Sequence, residues 1–236
     1  ALVKDIASKY PSGIHLSFKS HIDPDIQKME KERMEEITGK AVTHNRFHYL
    51  RFSLPKSYTR LIQLGITDDH SMGYGPHAGF RASICTPYFF FNLEQNEVTS
   101  LKVHPIAFMD TTFAHYKRES AEHALDKIGE IMNYVKETGG TCVGLWHNSS
   151  FTDVAEWKGY KYVFESTAAK ASALAAEAAA AALAASSGAG TAGVPRSKYF
   201  LNVSTSCSTA SLYIKPNALM ETSKTNSTHP ARDLRG

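Results

Sequence analysis

Apolar and polar positions alternate along the first two thirds of the chain in two periods, and the switches between them mark a series of short strands and helices. Residues 2–10 carry apolar side chains at helical spacing, stopped by Pro11 and Gly13, and residues 14–18 then read as a strand. Asp23 before Pro24 signals a helix start, because a short carboxylate accepts from free N–H groups and proline has the φ of a first helical residue. Ile26, Met29, Met34 and Ile37 form one face of that helix, and Gly39 ends it. Residues 41–49 are expected as a strand with its exit loop. The plan then repeats. Pro55 opens a helix bearing Tyr58, Leu61, Ile62 and Leu64, Gly65 closes it, and Ile66 begins a short strand into Asp68, Asp69 and His70.

Gly73, Gly75, Pro76 and Gly79 predict a loop, followed by β-prone segments at residues 84–93 and 98–109, the second running into Asp110. Ser120 caps the clearest helix, whose stripe is Ala121, Leu125, Ile128, Ile131, Met132 and Val135 and whose stop is Gly139 and Gly140. Residues 141–146 are expected as a strand and residues 154–164 as a closing helix. Strands and helices at this short, regular interval imply parallel units covered by helices, so the predicted class is α/β, with a partial or distorted (β/α) barrel fitting best.

Composition divides the 236 residues unevenly. Residues 168–192 are almost all alanine with Ser, Gly and Thr, and a Ser-, Thr- and Asn-rich stretch follows. The expected organisation is an α/β domain over 1–166, an Ala/Ser/Gly-rich helix or linker over 167–197, and a low-complexity tail over 198–236. Val194, Pro195 and Arg196 partly resemble a protease-site linker. The net charge of +3 is not gathered into a run, which excludes an electrostatic case for nucleic acid or an anionic membrane. Cys85, Cys142 and Cys207 are too far apart for a disulfide framework or a metal knuckle. No signal peptide or spanning segment is evident, and a soluble, cytoplasmic chain is expected.

The residues placed at the carboxyl ends of these strands are His15 and Ser17, Arg46 and His48, Asp68, Asp69 and His70, Asp110, and His147 and Asn148. In α/β sheets that edge opens into the cleft, and imidazoles and carboxylates gathered there are metal ligands or general acids and bases. The glycine-rich stretch lacks the lysine and helix start of a phosphate loop. His77, His104, His115, His123 and His229 are read as structural or surface residues.

Six blocks, in order, resemble a known family: Gly13-Ile14-His15-Leu16-Ser17-Phe18-Lys19-Ser20, Arg46-Phe47-His48-Tyr49-Leu50-Arg51, Asp69-His70-Ser71-Met72-Gly73-Tyr74, Gly79-Phe80-Arg81-Ala82-Ser83, Phe108-Met109-Asp110-Thr111-Thr112 and Leu145-Trp146-His147-Asn148-Ser149. They are similar to the bacterial polysaccharide deacetylase-like family, in the divergent branch of the NodB-homology barrel common in Bacteroidetes. The resemblance implies a distorted (β/α) barrel that removes acetyl groups from sugars, using a divalent metal such as zinc, an aspartate base and a late histidine acid. It assigns His15 to the metal motif, His147 to the acid and Arg46 to the groove. With the strand-end residues this gives an expected site: His147, Asp110 and Asp69 catalytic, Arg46, His48, Tyr74, Arg81 and Trp146 on the carbohydrate, and His15 and His21 on the metal. Tyr74, Phe80, Tyr88 and Trp146 are the aromatics expected to stack on sugar faces.

Two departures temper that expectation. The family's second metal histidine falls at Lys19 here, which leaves His21 as the nearest substitute, and no Asp pair precedes His15. The chain thus resembles a domain without its first strands, for which a non-catalytic carbohydrate-binding or structural role is the alternative.

Overall fold

The computed structural model describes residues 2–187, 198–204 and 211–213. Its regular elements are α1 (Leu2–Lys9), β1 (Ile14–Leu16), α2 (Pro24–Thr38), β2 (His44–Phe47), α3 (Lys56–Gln63), β3 (Asp68–Asp69), β4 (Tyr88–Asn92), β5 (Glu97–Val103), β6 (Phe108–Met109), α4 (Ala121–Thr138), β7 (Thr141–His147), α5 (Tyr160–Ser187), β8 (Lys198–Ser204) and β9 (Ser211–Tyr213). The helix signals act as read. The Asp23 carboxylate accepts from the N–H groups of Asp25 and Ile26 at 3.0 and 3.2 Å, and Gly39 closes α2 at a φ of 69°. Ser120 accepts from the His123 N–H at 3.2 Å, and Gly139, also at a φ of 69°, ends α4.

The class is mixed α/β with parallel sheets. A five-stranded sheet has the order β1-β2-β3-β5-β4, and a four-stranded sheet the order β6-β7-β8-β9. All neighbours are parallel except β4 against β5 and β9 against β8. A closed barrel is not seen among the described residues. The expected strand over 98–109 is in fact two strands in different sheets, β5 and β6, with no helix between them.

Apolar burial on the first sheet is one-sided. Ile14, Leu16, Phe47, Leu101 and Val103 pack with Met34 of α2 and Tyr58 and Leu61 of α3 in one apolar cluster. Side chains alternate along a strand, so the other face carries His15, His44, Arg46, Asp68 and Lys102, aligned across the sheet by the pairs His15 to Arg46, His44 to Asp68 and Asp68 to Lys102. In the second sheet Cys142 and Trp146 of β7 join the cluster of α4 and α5, while Val143 and Leu145 join Leu50, Ile106 and Met109 in a smaller one.

α5 runs without a break through residue 166, so the expected first segment and the alanine-rich segment share one helix. Thr167 and Leu174 are buried, and Ala168 and Ala171 pack on the α4 and α5 cluster. The backbone of β8 pairs with all of β7, so part of the expected tail is sheet. No helix among the described residues is long and apolar enough to cross a membrane.

Gly144 fixes the strand that carries His147. A Cβ there would lie 2.4 and 2.6 Å from ring atoms of Phe108, its register partner on β6. Phe108 is buried and cannot yield cheaply, so Gly144→Ala is expected to cost about 1–3 kcal/mol as an overpacking change. Urea unfolding checks this, and an unchanged midpoint would contradict it.

Candidate active site

Strand ends from both sheets meet at a cavity of about 330 Å³. β1 contributes His15, β2 and its exit turn contribute Arg46, His48, Tyr49 and Leu50, and β6 and β7 contribute Met109, Leu145 and His147. The turn after β6 is π-helical, Thr112–Lys117, and places His115 and Tyr116 on the same cavity, with Trp157 beside them.

Asp110 and His147 form the tightest polar unit in this wall. Asp110 is fully buried, and its Oδ1 accepts from His147 Nδ1–H at 2.6 Å. Its Oδ2 accepts from the backbone N–H of His147, also at 2.6 Å, and Oδ1 further accepts from Thr111 N–H at 2.7 Å. Two contacts to one residue leave the imidazole little rotation. Because Nδ1 bears the proton directed at the carboxylate, Nε2 is the nitrogen left for chemistry.

Across the cavity, His15 Nδ1 lies 2.9 Å from the carbonyl oxygen of Arg46 and His15 Nε2 lies 3.0 Å from His48 Nδ1. Burial, aided by the charge of Arg46, pushes His15 down to about 3, and burial and the His147 charge also lower His48. Both rings are therefore neutral near pH 7. Tyr49 and Leu50, which follow His48, hold φ values of 56° and 51°. Two successive non-glycine residues in the left-handed region store strain, which marks functional loops more often than scaffolding.

The expected residues are sorted by this geometry. His147, Asp110, Arg46, His48 and His15 come together. Asp69 does not: it faces the apolar side, fully buried, where it accepts from Asn45, Tyr58, and both the N–H and Oγ–H of Ser71. Trp146 is also buried, edge-on to Phe108 and Phe164, because it alternates with His147 along β7. Tyr74 is exposed against His77, and Arg81 lies over the Phe52 ring with its Nη1 reaching the Leu50 carbonyl at 3.4 Å. Neither lines the cavity, nor do Phe80 and Tyr88. The aromatics that do are Phe47, Tyr49, Tyr116 and Trp157, and His115 joins them although it was expected to be a structural or surface residue. Its placement follows from the π-helical turn after Asp110, for which the sequence holds no clear signal. His229 lies outside the described residues.

The metal pair expected from the sequence is not assembled. His21 lies against Phe18, its Nδ1 2.7 Å from the Phe18 carbonyl, and His48 takes the place beside His15. Two imidazoles are fewer than the three protein donors of an open metal site, and among the described residues no three His, Cys, Asp or Glu side chains are placed to hold an ion. The described residues do not fit the metal.

A second group of histidines lies further along the same sheet face. His70 stacks on His104 with centroids 4.4 Å apart and on His44 at 5.5 Å, and His104 Nε2–H donates to Asp68 at 2.7 Å. Burial lowers His44 and pushes His70 well below its ordinary value. Burial alone would raise Asp68, but hydrogen bonds from His104 and Thr67 outweigh it and hold the carboxyl at about 2.

These shifts set an acid limit on stability. Between about 6.5 and the lowered values, an unfolded chain takes up protons on His15, His44, His48 and His70 that the folded chain refuses. Their contribution is complete above that window and lost as pH falls through it. Asp69, raised by burial, opposes them as one group against four. The melting temperature followed by circular dichroism is expected to fall from pH 7 to pH 4. A constant or rising value would contradict the neutral, buried state of these rings.

Comparison with known proteins found no matching family model, curated protein or solved structure.

Proposed function

We propose that this chain is a carbohydrate deacetylase-like hydrolase acting on N- or O-acetylated sugars, its two sheets forming an arc of a distorted (β/α) barrel. The observation that carries the reading is the Asp110–His147 dyad on the wall of a sugar-sized cavity. The resemblance of the six sequence blocks supports it independently. In this reading His147 Nε2–H protonates the leaving nitrogen or oxygen as the acyl bond breaks, and Asp110 stabilises the imidazolium. Arg46, at the cavity wall, supplies positive charge for the carbonyl oxygen as it becomes negative. Tyr49, Tyr116 and Trp157 offer ring faces to the sugar.

The second reading, carbohydrate binding without hydrolysis, is favoured by the donor set that falls short of a metal site. Acetate release from triacetylchitotriose and from O-acetylated xylan separates the two. The hydrolase reading expects release by the native chain and a loss of about a hundredfold or more in His147→Gln. Binding of either sugar with no acetate released would replace it with the second reading.

A further inference from the structure

Within the proposed hydrolytic site, and resting on that reading, we propose that His48 is the base that deprotonates the attacking water and that His15 is the positioning residue that fixes its tautomer. The base is read from the hydrogen bonds of the cavity wall itself.

A carbonyl oxygen can only accept, so the 2.9 Å contact between His15 Nδ1 and the Arg46 carbonyl requires a proton on Nδ1. A neutral imidazole has one N–H, which leaves a lone pair on His15 Nε2. His48 Nδ1, 3.0 Å away, must then donate to it. His48 is fixed as the Nδ1–H tautomer, and its Nε2 keeps the lone pair. The series from the Arg46 carbonyl through His15 to His48 thus sets His48 Nε2 as an acceptor.

Three further observations agree. Burial keeps both rings neutral. His48 and His147 line one cavity from opposite sheets, as a base and an acid on one scissile bond require. The strained pair Tyr49 and Leu50 follows His48 directly, and Arg81 reaches the Leu50 carbonyl from outside the cavity.

The step balances without a co-reactant other than water. His48 Nε2 takes one proton from water as the water oxygen bonds to the acetyl carbon. The carbon–nitrogen or carbon–oxygen bond to the sugar breaks, and its electron pair takes the proton from His147 Nε2. A free amine or hydroxyl and acetic acid leave, the acid gives up its remaining proton to solvent or to the amine to become acetate, and the proton on His48 returns to His147 through solvent. Nothing is oxidised or reduced.

The test uses the whole native chain. Long-range proton–nitrogen correlation of the histidine rings at pH 7 is expected to show His15 and His48 both protonated on Nδ1 and bare on Nε2. His48→Gln is expected to lower kcat for acetate release from triacetylchitotriose by about a hundredfold with KM little changed. His15→Phe, which removes the acceptor, should return His48 to a mixture of tautomers. His48 protonated on Nε2 in the native chain overturns the proposal without any variant having to fold. So does stoichiometric zinc binding that engages both rings, since His48 would then be a ligand. Full activity in His48→Gln overturns the base role and leaves the hydrolase reading standing, whereas no acetate release by the native chain overturns both.

Discussion

Asp110→Asn is expected to lower kcat for deacetylation by about 10²- to 10⁴-fold while leaving KM within a small factor of the native value. Asp110 accepts three hydrogen bonds, two of them from His147 at 2.6 Å. A carboxylate can satisfy the backbone N–H and the ring N–H together because both its oxygens accept. An amide has one accepting oxygen and must present N–H to one of those donors. The ring then becomes the neutral Nε2–H tautomer or swings away, and without the carboxylate to stabilise an imidazolium it is too weak an acid to protonate the leaving group. The substitution leaves Arg46 and the aromatic wall, the proposed substrate contacts, in place, so the loss is expected to fall on kcat. Steady-state acetate release checks it, with circular dichroism confirming the fold. A kcat within about threefold of native would show that the dyad is only structural.

Asp69→Ala is expected to destabilise the fold by on the order of 3–5 kcal/mol, since several buried donors lose their acceptor at about 1–3 kcal/mol each. Tyr58 O–H at 3.0 Å, Asn45 Nδ2 at 2.8 Å and the Ser71 N–H at 3.0 Å all point at a carboxyl that no solvent reaches. Ser71 Oγ also hydrogen-bonds the Phe47 N–H at 2.9 Å, so the damage spreads to β2. Urea unfolding gives the cost. A loss below about 1 kcal/mol would contradict this account, because the donors would then have found other partners. The account also expects the folded fraction to keep native kcat, which separates Asp69 from Asp110 although the sequence suggested the same role for both.

That contrast shows what could be read in advance and what could not. The helix ends at Asp23, Gly39, Ser120 and Gly139 were legible because capping is local chemistry within a few residues. The positions of His15, Arg46, Asp110 and His147 at strand ends were legible for the same reason. Parity was not: Asp68 and Asp69 occupy one strand end, but successive side chains face opposite ways, and which one meets the core depends on pairing with Val103 across the sheet. Trp146 and His147 divide in the same way. The partner of His15 was hidden as well. His21 is near it in sequence, yet the pairing of His15 with Arg46 brings in His48, a contact between parallel strands with no local signature. The break between β5 and β6 escaped because the apolar run continues through Ile106 and Ala107, which are buried in loop conformation.

In the proposed function the cavity at the Asp110–His147 dyad, and not the histidine stack on the same sheet face, receives the acetylated sugar. Titration of triacetylchitotriose into chain labelled at its histidine ring nitrogens tests this directly. The account predicts saturable shifts of the His48 and His147 ring signals with those of His44, His70 and His104 unmoved. Shifts confined to His44, His70 and His104, or a sugar that binds without moving His147, would contradict it.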